Sequence, residues 1–468
     1  AAAMREVSAK HIQATIEKLV SFGTRLTIGP ADQAQVDAGH GIGAARAWIK
    51  SEFERYSQAC GGCLEVKEDR FIQPAGGRIK EPVELVNVYA VMKGTDPEAA
   101  KRMYLVTGHY DSRASNVMDA NTPAPGANDD GSGTAVSLEC ARVLSQHKFP
   151  ATIIFLTVAG EEQGLDGSKH FAEMAQKEGW ELLGVLNNDI VGGDNTPGQN
   201  THRVRVFSEG IPLVLTNAPG FVASTPTGSA AGDAQQAAAS RPAPKPIPGE
   251  DAAKLRSIRQ YGEENDSTSR QLARFIHEEA APYLQHRLSK AGMTVAAGGF
   301  EPVMEFRPDR FGRGGDHTSF NAEGFAAVRI TEWRENYHHQ HQNPRTENGI
   351  EYGDLPKFVD FDYAANVARV NAATLALLAS APAPPQNVKI ETGKQENTTT
   401  LKWDAAQGAS GYEIVWRDTT SPDWEYGRKV GDVTTFTLQM SKDMSVFAVR
   451  AVDARGHRSL AVIPQPER

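Results

Sequence analysis

The sequence predicts an α/β domain of three layers, a mixed sheet with helices on both faces, followed by an all-β sandwich. Two short and continuous apolar runs, Met103–Thr107 and Ile153–Val158, are typical of strands that are buried on both faces of a sheet. Helical periodicity at residues 132–146 and 166–178 alternates with these strands, which predicts helices packed on both sides. After a proline-rich stretch at residues 379–385, short strands alone follow, and this pattern indicates a sandwich.

The other elements of the first domain follow from periodicity along the chain. Helices are predicted where apolar residues recur on one face, at residues 8–21, 41–56, 265–288 and about 358–379. Further strands are predicted at Leu64–Ile72, Leu85–Met92 and Ala326–Ile330. Residues 215–253 are rich in Ala, Pro, Gly, Ser and Thr and are predicted to be a low-complexity insertion, a solvated loop or alternatively a lid over the site.

The C-terminal part is predicted to be a separate domain. Residues 381–386 form a Pro-rich linker between residues 1–380 and residues 387–468. Strands are predicted at Val388–Ile390, Thr399–Trp403, Tyr412–Trp416, Thr434–Leu438 and Ser445–Val452. This pattern resembles a fibronectin type III domain. It contains no catalytic cluster, so we expect a spacer or stabilising module whose partner is unknown, with an adhesive or substrate-presenting role as the alternative.

Composition excludes some classes of function. The chain has 468 residues, of which 40% are hydrophobic and 23% charged, which suits two or three globular domains. The net charge of −9 argues against nucleic acid as the main partner, because phosphate binding requires a basic face. No stretch approaches the roughly 20 apolar residues of a membrane span. The first residues lack the apolar core of a signal peptide, so such a segment either never existed or was removed.

Two of the three cysteines predict a local disulfide. Cys60 and Cys63 form a CxxC motif, but no second CxxC completes a zinc site of four cysteines. The motif precedes a strand instead of opening a helix, which argues against a redox pair. A disulfide would indicate a secreted or periplasmic protein, whereas two free thiols are the alternative. Cys140 lies on an apolar helical face and is predicted to be in the core.

Polar side chains follow several of the buried runs, at the end of a sheet where α/β proteins place active sites. They are His109, Asp111, Asp129, Asp130, Glu161, Glu162 and Asp189. Each has an ordinary explanation when taken alone, as a surface histidine, a solvated edge or an acid near a helix N-terminus. Together they offer the imidazole and carboxylate ligands of a hydrolytic zinc site. Two zinc ions can activate a water and polarise an amide carbonyl, and a neighbouring carboxylate can move the proton.

In their order, these motifs resemble the M28 family of zinc peptidases, the co-catalytic di-zinc aminopeptidases. The matching segments are Gly108–Ser112, Gly126–Gly133, Glu161–Gly164, Asn188–Asp189 and Gly315–Phe320. The resemblance covers roughly residues 8–380. It implies a zinc aminopeptidase-like fold, two zinc ions per chain, and an exopeptidase that hydrolyses the N-terminal peptide bond of peptide substrates.

The resemblance also implies a ligand set. His109 would bind one zinc ion and Asp129 would bridge both ions. Glu162 and Asp189 would complete the two sets. The fifth ligand should be a late histidine in a His-x-x-x-Asp setting. Four residues after His339, at the position of that Asp, the chain has Asn343. His339 is therefore the predicted ligand, with His341 as the second choice and His338 as the third.

Other roles follow from the same resemblance. Glu161 would be the general base, and Asp111 would orient the histidine ligand at the first strand end. Asp130 resembles the residue that a cis peptide joins to the bridging aspartate. Arg313 and Tyr337 are predicted to lie near the site and to stabilise the oxyanion.

Three alternative functions remain open from the sequence. M28 carboxypeptidases need a cationic pocket for the substrate carboxylate, which Arg307, Arg310 and Arg313 could supply. Glutaminyl cyclases share the scaffold but use one zinc ion. A non-catalytic binding module would have lost ligands, and none of the expected ligands is missing here. Glu264–Ser267 could hold a substrate amine, or Asp266 or Ser267 could instead cap a helix.

Overall fold

The large sheet of the computed structural model has parallel strands at its centre and antiparallel pairs on both sides of them. The structure describes residues 2–216, 249–290 and 299–467, so most of the predicted insertion at 215–253 lies outside the described residues. The strands of this sheet are β1 (Glu65–Gln73), β2 (Val83–Met92), β3 (Arg102–His109), β4 (Thr152–Val158), β5 (Glu181–Asn188), β6 (Arg203–Ser208), β7 (Glu301–Glu305) and β8 (Ala327–Glu332). Their order is β1-β2-β4-β3-β5-β8-β6-β7. Because β4, β3, β5 and β8 run parallel, their carboxyl ends meet at one edge.

Helices cover both faces of this sheet, which confirms the predicted fold class. They are α1 (Ala2–Glu6), α2 (Ala9–Ser21), α3 (Gln33–Asp37), α4 (Gly41–Ala59), α5 (Gly131–Leu144), α6 (Glu161–Gly164), α7 (Asp166–Lys177), α8 (Gly249–Tyr261), α9 (Thr268–Phe275), α10 (Ala281–Lys290), α11 (His317–Ala322) and α12 (Phe361–Ser380). Along β3, Tyr104 and Val106 pack in one core with α5 and α12. Leu105 points to the opposite core with Phe171 of α7. The apolar run of β3 is therefore buried on both faces, as expected for a central strand.

The C-terminal residues form two sheets that pack face to face, as predicted for a sandwich. Their strands are β11 (Gln386–Glu391), β12 (Thr399–Asp404), β13 (Gly411–Asp418), β14 (Tyr426–Gly431), β15 (Thr435–Leu438), β16 (Ser445–Val452) and β17 (Gln465–Glu467), while β9 (Arg345–Glu347) and β10 (Ile350–Tyr352) form a separate hairpin. One sheet has the order β15-β12-β11-β17 and the other β14-β13-β16. Leu401 and Trp403 from the first share a core with Ile414 and Phe447 from the second.

A buried ion network joins the sandwich to α9 and to the residue just before its N-terminal cap. Asp266 Oδ1 accepts from Arg274 of α9 at 2.9 Å, and Arg417 of β13 donates to both oxygens of Asp266 at 3.0 and 2.9 Å. These side chains are 1%, 1% and 5% exposed. Ser267 caps α9 by accepting from the Arg270 N–H. Asp266 is therefore committed to two arginines, and the alternative prediction that Ser267 caps a helix is confirmed.

A π-helical turn at Ile276–Ala280 continues this contact with the sandwich. Its Glu278 accepts a hydrogen bond from the backbone N–H of Trp424, and Glu279 lies 3.0 Å from Arg450 and 3.2 Å from Arg458. The turn thus directs two successive carboxylates towards the sandwich. Charged contacts from several strands fix the sandwich against α9 and the π-helical turn.

The cysteine predictions are confirmed. A disulfide joins Cys60 to Cys63 between α4 and β1, and Cys140 is a buried free cysteine.

Within residues 2–216, 249–290 and 299–467, none of the helices has both the length and the apolar character needed to cross a bilayer.

The buried network predicts a large loss of stability in Asp266→Asn. The substitution removes a charge that faces two almost fully buried guanidinium groups, and breaking such a network costs about 3–5 kcal/mol. Denaturant unfolding followed by circular dichroism measures the change. The control is Lys402→Met, which removes an exposed ion-pair partner from β12 and should leave the midpoint unchanged. Equal midpoints for Asp266→Asn and the wild type would contradict the importance of the network.

Candidate metal centre

The carboxyl ends of the central strands bring the predicted site residues to one edge of the sheet. His109 is the last residue of β3, and Asp189 directly follows β5. Glu161 and Glu162 begin α6, shortly after β4. Asp129 lies in the loop that leads into α5. The strand ends that were identified in the sequence therefore converge on one place.

Two groups of side chains have the spacing of metal ligands, and they share Asp129. The first is His109, Asp129 and Asp189, and the second is Asp129, Glu162 and His341, with one ligand atom per residue lying within 4.8 Å of the others. Asp129 Oδ1 is 3.2 Å from His109 Nε2, and Asp129 Oδ2 is 2.9 Å from His341 Nε2. Glu162 Oε1 is 3.1 Å from that same His341 nitrogen. Asp129 thus presents one oxygen to each group, as a bridging ligand would.

Buried atoms without hydrogen-bond partners fit metal binding at this place. His109 Nε2 and Glu162 Oε1 are buried, and beyond the ion-pair contacts given above neither has a hydrogen-bond partner among the described residues. Unpaired buried polar atoms are uncommon in folded proteins and call for an explanation. Imidazole nitrogen and carboxylate oxygen are donors that zinc uses. A metal ion would satisfy both atoms, so the donor set fits a metal centre.

Asp111 holds two of the candidate ligands in place. Its Oδ1 lies 3.3 Å from Nδ1 of His109, on the side of the ring opposite to the metal group. Its Oδ2 accepts from Thr27 Oγ1 at 3.0 Å and from the Glu162 N–H at 3.2 Å. Asp111 therefore lies where it can orient His109, the kind of contact that fixes the tautomer of a metal-binding imidazole.

Two further carboxylates fix the backbone around Asp129. The peptide bond between Asp129 and Asp130 is cis. Asp130 accepts from the His109 N–H at 2.9 Å and from the Gly133 N–H at 2.8 Å, which caps α5. Asp354 accepts from the Asp129 N–H at 2.7 Å. Asp129 is therefore held from both sides by acids that are not themselves in the metal groups.

Glycines allow α5 to approach the strands closely. A Cβ at Gly133 would lie 2.1 Å from the carbonyl oxygen of Asn188, and one at Gly108 would lie 2.3 Å from the Gly133 carbonyl carbon. Both distances are shorter than any side chain tolerates. Glycine at these positions lets the start of α5 lie against β3 and β5, where Asp130 can reach His109.

The charges of the site are strongly coupled. Burial, together with the nearby carboxylates of Asp189 and Glu162, raises the pKa of Glu161 well above its usual range. Burial opposes the charged form of His341, but Glu162 and Asp129 outweigh it and raise the pKa of this histidine to about 9. The pocket therefore favours positive charge, and metal binding must displace a proton from His341.

Arginines supply fixed positive charge around the same pocket. Arg329, which is fully buried on β8, places Nη1 2.6 Å from Asp189 Oδ2. Arg78, Arg310 and Arg313 line the cavity of about 350 Å³ that contains the metal groups. Arg310 and Arg313 both donate hydrogen bonds to Glu335, which is not among the lining residues of this cavity. A substrate entering this cavity would meet guanidinium groups as well as metal ligands.

Of the candidate histidines, the structure brings His341, the second choice from the sequence, and not His339 into a candidate metal group. The Nδ1 atom of His339 bonds to Asp194, and its ring stacks on Phe358 with centroids 3.6 Å apart. Neither partner belongs to a metal group. The supposed partner Asn343 instead accepts from the Ser115 N–H at 2.8 Å. The backbone conformation of the loop decides between these histidines, because His341 adopts a positive φ of 54°. The sequence contains no signal for that conformation.

The two predicted oxyanion residues differ in position. Arg313 lines the cavity, whereas Tyr337 is 65% exposed and is not among the lining residues. The structure therefore does not bring Tyr337 to the cavity in which the oxyanion role was predicted. Arg78 and Arg329 were missed. Arg78 lies between β1 and β2 with no motif around it, but a charged residue at position 329 of an apolar strand was a usable signal, because a buried arginine requires a partner.

The chain is similar to known proteins in both sequence and fold. Residues 87–226 match the sequence profile of Peptidase family M28. A probable zinc metalloprotease of Pyrenophora teres f. teres (strain 0-1) is 42% identical over 467 residues, covering 98% of this chain and 86% of its own. The solved Legionella pneumophila LapA aminopeptidase is similar with a TM-score of 0.48 and 20% identity, over 81% of this chain and 74% of its own. A solved Fimbriiglobus ruber glutaminyl cyclase is similar with a TM-score of 0.47 and 16% identity, over 79% of this chain and 95% of its own.

The geometry predicts different effects for two neighbouring histidines. His341→Ala should lower the zinc content of the purified protein by about one ion per chain, because it removes an imidazole from the Asp129–Glu162 group. His339→Ala is the matched control and should keep the wild-type zinc content, since its ring contacts Asp194 and Phe358. Elemental analysis after dialysis measures both. The reverse pattern would restore His339 as the ligand.

Proposed function

The chain belongs to peptidase family M28 and is a zinc metallopeptidase, and from that premise we propose that it is a di-zinc aminopeptidase that removes N-terminal residues from peptides. The observation that carries this proposal is the pair of ligand groups that share Asp129. A single zinc ion would need only one of these groups. The proposed ligands are His109 and Asp189 for one ion, Glu162 and His341 for the other, and Asp129 for both.

The bound zinc ions would supply Lewis-acid polarisation of the scissile carbonyl and a water of lowered pKa. The protein residues do the remaining work. Asp111 keeps His109 in the orientation that directs Nε2 towards Asp129. Arg329 compensates the charge of Asp189 on the opposite side of the site. These contacts hold the ligands in place before substrate arrives.

Glu161 is the proposed general base. It lines the cavity beside the ligand Glu162, but it belongs to neither metal group. Burial raises its pKa, which makes the carboxylate a better proton acceptor at neutral pH. Glu161 would accept a proton from the attacking water and deliver it to the leaving amine, so that the peptide bond breaks without releasing an unstable amide anion.

A carboxypeptidase is the second candidate, and one observation favours it. Arg78, Arg310 and Arg313 line the cavity that contains the metal groups, and guanidinium groups bind carboxylates. Arg307, the third arginine suggested by the sequence, is not among the lining residues. Because Glu335 already bonds to Arg310 and Arg313, part of this positive charge is compensated within the protein. We therefore place the aminopeptidase first.

The domain organisation is also part of the proposal. We infer a peptidase domain at residues 1–380, a linker at 381–386 and a fibronectin type III-like module at 387–468. The two packed sheets of the C-terminal part support this division. The disulfide between Cys60 and Cys63 supports a secreted or periplasmic location, because disulfides persist in oxidising compartments.

Glu161→Gln tests the mechanism. The amide keeps the shape of the side chain but cannot accept the proton, so kcat should fall by about 10²–10⁴-fold while zinc content stays unchanged. Because Glu161 is in neither metal group, the substitution should lower the rate of hydrolysis without changing zinc binding. Steady-state kinetics and elemental analysis measure the two quantities. Full activity in the zinc-loaded variant would refute the assignment of Glu161.

A panel of peptides with free and acetylated N-termini tests which end of the substrate is cleaved. We expect hydrolysis of the free-amine peptides alone, lost with a zinc chelator and recovered when zinc is added. Mass spectrometry of the products identifies the residue removed. Loss of C-terminal residues from both sets, reduced in Arg313→Met, would establish the carboxypeptidase instead.

A further inference from the structure

A second cavity, of about 210 Å³, borders the metal centre at Asp129. The acids Asp194, Glu332 and Asp354 line it, together with His339 and Gln340. None of these residues belongs to either of the two metal groups. This cavity is therefore a polar space distinct from the one in which the proposed peptidase chemistry takes place.

Three side chains in this cavity each have one oxygen without a partner. Asp194 Oδ1, Glu332 Oε1 and Gln340 Oε1 are buried and make no hydrogen bond with any residue that the structure describes. The residues themselves are 2%, 0% and 8% exposed. Leaving several buried oxygens unpaired in one cavity is costly, so something must fill the space between them.

The opposite atoms of the same side chains are firmly anchored. Glu332 Oε2 accepts from Asn128 Nδ2 at 3.0 Å and from the Asp194 N–H at 2.9 Å. Asp194 Oδ2 bonds to His339, and Gln340 Nε2 donates to Asp129 Oδ2 at 3.0 Å. These contacts fix the three side chains, and all three residues line the cavity.

Among the described residues, no lysine or arginine forms an ion pair with the carboxylates of Asp194 and Glu332. The described ion pairs give Asp194 only His339 and give Glu332 no partner. The nearby Glu335 is committed to the arginines of the neighbouring cavity. Burial raises the pKa of Glu332 well above its usual range. In this environment Glu332 either keeps a proton or faces a bound cation.

We propose that this cavity binds one Ca²⁺ ion, with Asp194, Glu332 and Gln340 as its protein ligands. The three unpartnered donors are all oxygens, two from carboxylates and one from an amide. Ca²⁺ takes about six to eight oxygen ligands of these kinds at flexible geometry and accepts water for the rest. Zinc prefers nitrogen, sulfur and four-coordinate sites, and Mg²⁺ requires near-octahedral geometry.

Such an ion would couple three segments that carry the peptidase ligands. Asp194 lies in the loop after Asp189, and Gln340 directly precedes His341. Glu332 ends β8, and its partner Asn128 directly precedes Asp129. Ca²⁺ would therefore hold together the loops that position both zinc groups, and would stabilise the site without taking part in the chemistry.

Calcium binding to the zinc-loaded full chain tests the proposal, with Ca²⁺ alone as the probe. Equilibrium dialysis should show one Ca²⁺ per chain with no release of zinc, and Tm should rise as calcium is added. Glu332→Gln and Asp194→Asn should each weaken calcium binding by about tenfold or more. Glu209→Gln is the matched control, because Glu209 is 5% exposed but does not line this cavity; it should bind calcium as the wild type does.

Terbium luminescence provides a readout that does not depend on folding of the acid variants. Trp333 directly follows Glu332, so Tb³⁺ in the cavity should emit when tryptophan is excited, and Ca²⁺ should displace it. Trp333→Phe should reduce the emission and leave calcium binding unchanged. Absence of calcium binding, terbium emission that calcium does not displace, or full calcium binding in folded Glu332→Gln and Asp194→Asn would each overturn the proposal.

Discussion

Buried negative charge at one edge of the large sheet is the constraint around which the protein is arranged. Asp129 presents its two oxygens to different histidines, and Glu162 and Asp189 lie beside it. Such a set of carboxylates is unfavourable in a low-dielectric interior unless cations compensate it. The protein supplies fixed cations of its own, Arg329 at Asp189 and the arginines that line the cavity. The backbone contacts around Asp129 hold the remaining ligands ready for metal ions.

The parts of this site that lie on regular elements could be predicted from the sequence. His109 ends a buried strand and Asp189 follows another, so strand periodicity alone brings them to the same edge. The last histidine could not be chosen, because three candidates lie in one irregular loop. The positive φ of His341, its contact with Asp129, and the contact of His339 with Asp194 distinguish two of them, and all three are properties of the folded chain.

Strands without a local sequence signal could not be predicted either. The central strands have continuous apolar runs and were predicted, but β6 and β7 were not. In β6 the apolar residues Val204 and Val206 alternate with arginines, and β7 contains a proline, so neither has the signal of a buried strand. Their positions follow from pairing with β8 and with each other. Tertiary contacts, which a local pattern does not contain, decide such strands.

The ion network between Asp266 and the sandwich has a consequence for how this architecture can change during evolution. Arg417, Arg450 and Arg458 lie on the C-terminal side. Their acidic partners are Asp266, just before α9, and Glu279, in the π-helical turn after it. A recombination event that exchanged the sandwich for another module would have to bring matching charges at all three positions. The two parts of the chain are therefore expected to be inherited as one unit, and a substitution on one side constrains the residues accepted on the other.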